Sequence, residues 1–349
     1  MRSVCAVVAV SLLAFAGAED SRPRGGARVC EREWEPISVG RKHEWVGWYD
    51  DYYEVAASGN HVWAVGASQR KSRGRRVLVG HWDGSRWHRT QLPIRGRLWQ
   101  VVASSPNEMW AVGTALKGGR IIVHGVGDSL EVEPAPLLGG FLYSLVMTGD
   151  GRLWFGTNRE LLYVRTGPTW KRVPSGPFGW VIGVGPGGGL WSIGAGFGDA
   201  ARVLRWQRGR WVRTPIPPLS EGQLNGITQV DHRSSYVWGS ENWSQGAKQK
   251  AMVLRWTGKR WIRTLPPRLG RAPAIEDLAG RSPATLWARV HLGGTRYDAD
   301  FLAARERGQW KRVPVPRRPP AGVSFSGNLA VAEDDLWVVN GSVARYACN

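Results

Sequence analysis

The sequence predicts an all-β fold, and three observations carry the prediction. The 349-residue chain is 42% hydrophobic, enough for a large core, yet no apolar period of 3.6 residues persists beyond the N-terminal segment. Its 46 glycines and 21 prolines punctuate short runs and disfavour helices. Its 21 tryptophans recur inside short apolar stretches, which suits strands.

The N-terminal segment stands apart. Arg2, the apolar run of residues 4–16 and the small residues Ala16-Gly-Ala18 match a secretory signal cleaved after Ala18. The run is too short to span a bilayer, no second such stretch follows, and no cysteine follows it to take a lipid. The expectation is a freely secreted, extracellular protein in three parts: signal peptide 1–18, a short segment 19–29 and one domain over 30–349. Cleavage removes Cys5 and leaves Cys30 and Cys348. In an oxidising compartment an isolated pair forms a disulfide; two free thiols are the alternative.

The repeating unit is clearest at residues 62–87. Val62-Trp-Ala-Val-Gly66 precedes Val77-Leu-Val-Gly-His-Trp-Asp-Gly-Ser-Arg-Trp87. An apolar run, a Gly/Asp turn and a second run opening on Trp has the spacing of a β-hairpin. Copies stand at 203–211 and 253–261, and looser ones at 121–130, 161–170 and 301–310. Anchors Trp63, Trp110, Trp154, Trp191, Trp238, Trp287 and Trp337 are 47, 44, 37, 47, 49 and 50 residues apart. A period of about 40–50 residues with four short strands is that of a β-propeller blade. Seven anchors therefore predict a seven-bladed propeller.

Within a blade, the apolar segment before the anchor is the innermost strand: Val101-Val-Ala103, Leu145-Val-Met147, Leu329-Ala-Val331. Ser105-Pro-Asn-Glu108, Gly149-Asp-Gly151 and Glu333-Asp-Asp335 make the tight turns to the Trp strand. The outermost strand opens on Trp87, Trp170, Trp211, Trp261 or Trp310 and ends at Pro93, Pro174, Pro215, Pro266 or Pro314, a residue tolerated at a sheet edge.

The two chain ends complete each other. After Trp337 comes only Val343-Ala-Arg-Tyr-Ala-Cys348, a blade without an outer strand, whereas Trp34-Glu-Pro-Ile-Ser-Val39 is an outer strand without a blade. Tyr346 aligns with Trp82 and Trp256, and Trp34 with Trp87 and Trp261. Cys348 and Cys30 then fall where other blades have their Asp-Gly turn, so a disulfide there replaces the turn and locks the ring.

The succession Trp-Ala-Val-Gly, His81-Trp-Asp-Gly-x-x-Trp87 and a Pro-ended strand resembles the secreted, actinomycete-type bacterial β-propellers with kelch-like or Asp-box-like repeats. The resemblance covers nearly all of residues 30–349. It implies a rigid wheel without an assigned activity. The Asp-box turn, Ser/Thr-x-Asp-x-Gly-x-Thr-Trp, is approached only by Asp83-Gly84-Ser-Arg-Trp87, and no arginine triad or copper-ligand motif accompanies it.

Long, variable loops gather on one face of such a wheel, and binding concentrates on loops held by a rigid scaffold. The densest aromatic stretch, residues 43–54, leads into the first inner strand and offers Trp45, Trp48, Tyr49, Tyr52 and Tyr53; Trp99, Tyr143 and Trp180 hold equivalent positions. Aromatic platforms suit sugar rings and anchor protein partners; filling the wedge between blades is their other role. One residue further, Glu54, Gln100, Ser144, Asp277 and Asn328 share a register pointing to the axis. Glu54 and Asp277 are acid/base candidates for a hydrolase or lyase, or else part of a polar ring lining a wet channel.

A net charge of +19 suits anionic partners. Arg73 and Arg75 lie in a basic loop on the working face. Arg89, Arg172, Arg213, Arg263 and Arg312 recur on outer strands, where charge discourages edge pairing. The seven histidines are scattered, and no metal or cofactor motif is found; Gly183-x-Gly-x-x-Gly188 precedes a strand, not a helix. The expected role is a monomeric, non-catalytic binding module for an extracellular glycan, anionic polymer or protein. Nucleic acid is not the expected partner, and no cofactor is expected. The alternatives are a carbohydrate-active enzyme and a scaffold for assembling exported proteins.

Overall fold

The computed structural model describes residues 32–38, 48–70, 74–135, 142–157, 159, 161–174, 181–194, 201–231, 233–264, 273–292, 301–306, 308–314 and 327–348. They form antiparallel strands, with two short 3-10 turns at Pro186–Gly188 and Trp243–Lys248. No helix among them is long and apolar enough to cross a membrane.

The strands group into four-strand units in chain order. After β1 (Arg32–Ser38), the first unit is β2 (Trp48–Ser58), β3 (His61–Arg70), β4 (Gly74–Trp82) and the first half of β5 (Trp87–Ser105). The second half of β5 starts the next unit with β6 (Glu108–Ala115), β7 (Arg120–Val126) and β8 (Ser129–Glu133). The third holds β9 (Leu142–Met147), β10 (Leu153–Thr157), β11 (Leu162–Thr166) and β12 (Thr169–Val173). The fourth holds β13 (Val181–Val184), β14 (Leu190–Gly194), β15 (Arg202–Gln207) and β16 (Arg210–Thr214). The fifth holds β17 (Gln223–Gln229), β18 (Ser235–Glu241), β19 (Lys250–Trp256) and β20 (Trp261–Thr264). The sixth holds β21 (Pro273–Ser282), β22 (Thr285–Leu292), β23 (Phe301–Glu306) and β24 (Gln309–Arg312). The last holds β25 (Asn328–Ala332), β26 (Asp335–Asn340) and β27 (Ser342–Cys348), with β1 as its outermost strand.

One feature departs from the expectation. An outer strand ending at Pro93 is not found: β5 runs through that proline, pairing first with β4 and then with β6, and so fuses two units into a seven-stranded sheet beside five four-stranded ones. Proline lacks only its own N–H, and the ladder changes partners around it, with no β4 partner to Pro93.

The hairpin motif is a register device. Trp82 pairs with Trp87, Trp206 with Trp211 and Trp256 with Trp261 across their turns. Trp34 pairs with Tyr346 in the same way although no turn joins β1 to β27, and Arg32 stands opposite Cys348. Cys30 lies outside the described residues.

The core lies between units rather than within them. Trp63 and Val65 of the first unit pack with Leu98 and Met109 of the second. Trp110 and Val112 pack with Leu145 and Phe155 of the third, and Trp154 with Ile182 and Leu190 of the fourth. Trp191 then packs with Val237 and Leu254, Trp238 with Ile275 and Ala288, and Trp287 with Leu336 and Val338. Trp337 of the last unit packs with Tyr52 and Val55 of the first. First strands sit beside first strands in chain order, and β25 sits beside β2. Turns joining first to second strands also meet: Gly149 N donates to Gly188 O at 2.8 Å, and Glu333 N to Gly59 O at 3.2 Å.

Both faces of every sheet are thus covered, which is why the second strands read as near-continuous apolar runs instead of alternating. Trp191→Ala should lower unfolding stability by roughly 3–5 kcal/mol, the usual cost of deleting a fully buried large side chain. Urea unfolding followed by tryptophan fluorescence measures it, and a loss well under 1 kcal/mol would mean that the inter-sheet packing is not the core.

Candidate functional site

A glycine shortly after the anchor Trp, three residues on at Gly66 and Gly113 and one residue on at Gly239, shapes the candidate site. A Cβ on Gly66 would lie 1.9 Å from Asp51 O, one on Gly113 1.9 Å from Arg97 O, and one on Gly239 1.9 Å from Gln223 O. Each carbonyl belongs to the innermost strand, where the ladder slips: between Tyr52 and Glu54, between Leu98 and Gln100, and between Leu224 and Gly226. A β-bulge leaves one residue unpaired and re-aims its side chain. Those residues are Tyr53, Trp99 and Asn225, and a fourth bulge of this kind frees Glu276.

Tyr53 and Trp99, equivalent bulge residues of adjacent units, belong to one patch. Arg97 lies over the Trp99 ring at 5.6 Å and is exposed. Burial first, and a hydrogen bond with Asp51 second, push the Tyr53 hydroxyl up to about 12, while Arg75 and Arg97 act on it in the opposite sense. Arg75 Nε donates to Gln69 Oε1 at 2.9 Å across the β3–β4 pair. Leu116, 61% exposed, sits beside the patch, its N–H donating to Arg95 O at 3.0 Å. Two guanidinium groups, a phenol, an indole face and an exposed leucine can hold a carboxylate and an apolar group together.

The other aromatics divide. Tyr52 is not a surface platform: it is fully buried and meets Trp87 edge-on, centroids 5.8 Å apart. Before the bulge the pleat turns Tyr52 inward, the opposite way from Tyr53. Trp48 and Tyr49 are placed by strand register, opposite Arg70 and Gln69, and Tyr143 lies in β9. Trp45, Trp180 and Arg73 fall outside the described residues.

Glu54 and Asp277 come together with Asn328. Glu54 accepts from Val55 N at 3.0 Å and from Asn328 Nδ2 at 3.2 Å; Asp277 accepts from Leu278 N at 2.8 Å and from Leu329 N at 2.7 Å. Asn328 Nδ2 also donates to Tyr53 O at 2.8 Å. Both carboxylates keep some solvent contact but are walled by protein. Burial and then the neighbouring Asp277 push the Glu54 carboxyl up to about 8, against Val55 N–H and the Arg289 guanidinium. Burial likewise raises Asp277, against the bond from Leu329 and Arg289.

These bonds tie β21 to β25 and β25 to β2. Others join further first strands: Ile182 N donates to Ser144 Oγ at 3.3 Å, and Asn225 Nδ2 to Ile275 O at 2.8 Å. The polar register facing the axis therefore fastens neighbouring units.

The Asp83-Gly84 motif is a turn device. Asp83 Oδ1 accepts from Ser85 N, Ser85 Oγ and Arg86 N, and Oδ2 meets His88 Nε2 at 2.7 Å. The histidines are less scattered than the sequence suggests: His61 Nδ1 is 3.1 Å from His81 Nε2, and His81 stacks on Trp63. Burial and then His61 and His88 lower His81 to about 4. Among the described residues no group of three or more His, Cys, Asp or Glu is arranged to hold a metal. Two recurrent outer-strand arginines do more than guard an edge: Arg89 pairs with Asp50, and Arg263 with Glu241.

No known protein family and no curated protein matches the sequence. Solved structures do. One is YCF48 bound to D1 peptide, 16% identical, TM-score 0.60, covering 91% of this chain and 95% of that one. A second is virginiamycin B lyase from Staphylococcus aureus, 14% identical, TM-score 0.62, covering 91% and 100%. A third is the β-propeller domain of the Trilobed protease from Pyrococcus furiosus, 11% identical, TM-score 0.53, covering 83% and 91%. The fold is a β-propeller. At these identities the likeness reaches the propeller fold and not the kelch-like or Asp-box-like type.

Two outcomes follow from the site's geometry. Gly113→Ala drives a Cβ into the Arg97 carbonyl and the backbone of Leu98, costing roughly 1–3 kcal/mol; a crystal structure of the variant should show the Trp99 bulge displaced, and an unmoved bulge would contradict the account. Glu54 binds its proton more tightly folded than unfolded. Its stabilising contribution is therefore complete below about pH 4.5 and is lost as pH rises through about 8. Glu54→Gln should flatten the urea-midpoint profile across that window, and an unchanged slope would refute the assignment.

Proposed function

We propose that the protein is a non-catalytic recognition module: a seven-bladed propeller, closed by its N-terminal strand, that binds an extended, carboxylate-bearing segment of a protein partner on its loop face. The observation that carries the reading is the patch of Tyr53, Trp99, Arg75 and Arg97 beside exposed Leu116. Two adjacent bulges deliver aromatics to one place, and the arginines supply forks matching a carboxylate. The likeness to YCF48, a propeller solved with a peptide, supports a protein ligand.

The N-terminal signal pattern supports export and a mature chain of one domain over residues 30–349. The register of Arg32 with Cys348 supports a Cys30–Cys348 bridge that seals the ring. In the chain-entropy account a link closing so long a loop stabilises by roughly 5–6 kcal/mol.

Binding of the purified protein to an acidic peptide library, read by fluorescence anisotropy, tests the proposal. Trp99→Ala and Arg97→Glu should each weaken the selected peptide at least tenfold, about 1.4 kcal/mol, while leaving the unfolding midpoint near that of wild type. Selection of neutral glycans instead, or binding indifferent to both variants, would sink it.

The second reading is a hydrolase or lyase, and the raised Glu54 carboxyl beside Asp277 favours it. Its drawback is that Asp277 spends both oxygens on backbone N–H groups. Turnover of any bound glycan, abolished by Glu54→Gln with binding intact, would select this reading over the first.

A further inference from the structure

The turn face, opposite the patch, is divided by charge. In the last unit and the first three, its turns and strand ends carry Asp83, Glu108, Asp128, Asp150, Glu333, Asp334 and Asp335, with the cation Arg86 in the same turn as Asp83. In the fourth to sixth they carry Arg208, Arg210, Arg233, Lys259, Arg260 and Arg281, all exposed. Arg208, Arg210, Lys259 and Arg260 lie on turns between third and fourth strands; Arg233 and Arg281 lie on or beside turns between first and second strands. The basic groups thus extend from the inner to the outer rim over three consecutive units.

Pairing separates the two sectors. On the acidic side, carboxylates meet cations: Asp150 meets Arg152, and Asp335 meets Arg345. The ion pairs among the described residues use Arg89, Arg152, Arg165, Arg263, Arg345 and two histidines, and none uses the six basic groups. Two acids lie among them: Glu306, which ends β23, and Asp231, which spends Oδ1 on the N–H groups of Arg233 and Ser234 within its own turn.

The turns hold these cations on fixed backbone. Thr257 Oγ1 donates to Arg260 O at 2.9 Å and accepts from Arg260 N at 3.2 Å. Arg208 is left-handed, φ 49, where the second and third units place Gly127 and Gly167, φ 56 and 59. A Cβ-bearing residue is strained there, so a guanidinium is presented at a position where glycine costs least.

We propose that this sector is a docking site for a linear acidic polysaccharide, a chain with a carboxylate on each repeating sugar. The occupant must bring several anions over a broad area, because the cations are spread over three units and enter none of the ion pairs among the described residues. Guanidinium forks match carboxylates in pairs. Single-stranded nucleic acid fits less well, since the large exposed hydrophobics among the described residues are Leu116, Val126 and Val132, and the half-buried Trp206, Trp211 and Trp256 beside the basic turns are packed in their own hairpin pairs. Duplex DNA has no helix or ribbon here to enter a groove.

Titrating the purified protein with polygalacturonate at low and moderate salt, with duplex DNA of equal charge in parallel, tests the site. The triple variant Arg208→Glu, Arg233→Glu, Arg260→Glu should lose at least tenfold in apparent affinity and show a shallower salt dependence. The double variant Lys171→Glu, Arg172→Glu, on the outer strand β12 of the third unit and outside both sites, should match wild type. Absence of wild-type binding, or equal losses in both variants, would overturn the site. Tighter binding of duplex DNA through the same residues would overturn the class of ligand. The peptide patch lies on the other face, so failure here leaves that reading standing.

Discussion

Packing of one sheet's face against the next is the constraint on which everything else depends. A lone four-stranded sheet here has two apolar faces and no layer of its own to cover them. Three of the second strands, β10, β14 and β18, are buried at every position, and the others along most of their length. Each anchor tryptophan fills the wedge to its neighbour, so no unit has a core until the next is in place. Trp337 with Tyr52 and Val55 extends the rule from the end of the chain to its beginning.

The same packing sets the chemistry at the axis. First strands crowd together, and their polar side chains bond to the neighbouring backbone, as Asn328 does to Tyr53 and Asp277 to Leu329. A carboxylate held in such company loses solvent and gains a like-charged neighbour, which is why Glu54 is pushed upward. Bulges relieve the crowding at the mouth. The glycines opposite them let an inner-strand carbonyl approach within 1.9 Å of where a Cβ would stand, and Tyr53 and Trp99 are left without a ladder partner there. Fold and site thus share one cause.

Much of this was legible in the sequence because buried sheets leave a periodic trace. The anchors and paired hairpin tryptophans fell on second strands and on facing positions of third and fourth strands, and Trp34 found Tyr346 with no turn to guide it. The register shared by Glu54, Gln100, Ser144, Asp277 and Asn328 was also visible. What it meant was not: backbone groups of neighbouring units, invisible in a string of letters, turn Ser144, Asp277 and Asn328 of that register into fasteners. Tyr52 and Tyr53 look alike in sequence, yet the pleat turns Tyr52 into the core while Tyr53 takes the bulge position. The glycine of Trp-Ala-Val-Gly was the available clue, since a glycine repeated mid-strand marks a bulge or a close backbone approach. The meeting of His61 with His81 had no local signal, because it depends on which strands pair.

The most direct test of the central claim is native-state hydrogen exchange on the peptides covering residues 32–38 and 342–348. If β1 completes the last sheet and inter-sheet packing makes the wheel one cooperative unit, amides of both segments exchange only through global unfolding, as slowly as those of β10 and β14. Rapid exchange of β1 and β27, with β10 and β14 still protected, would contradict it and leave the wheel open where its two ends meet.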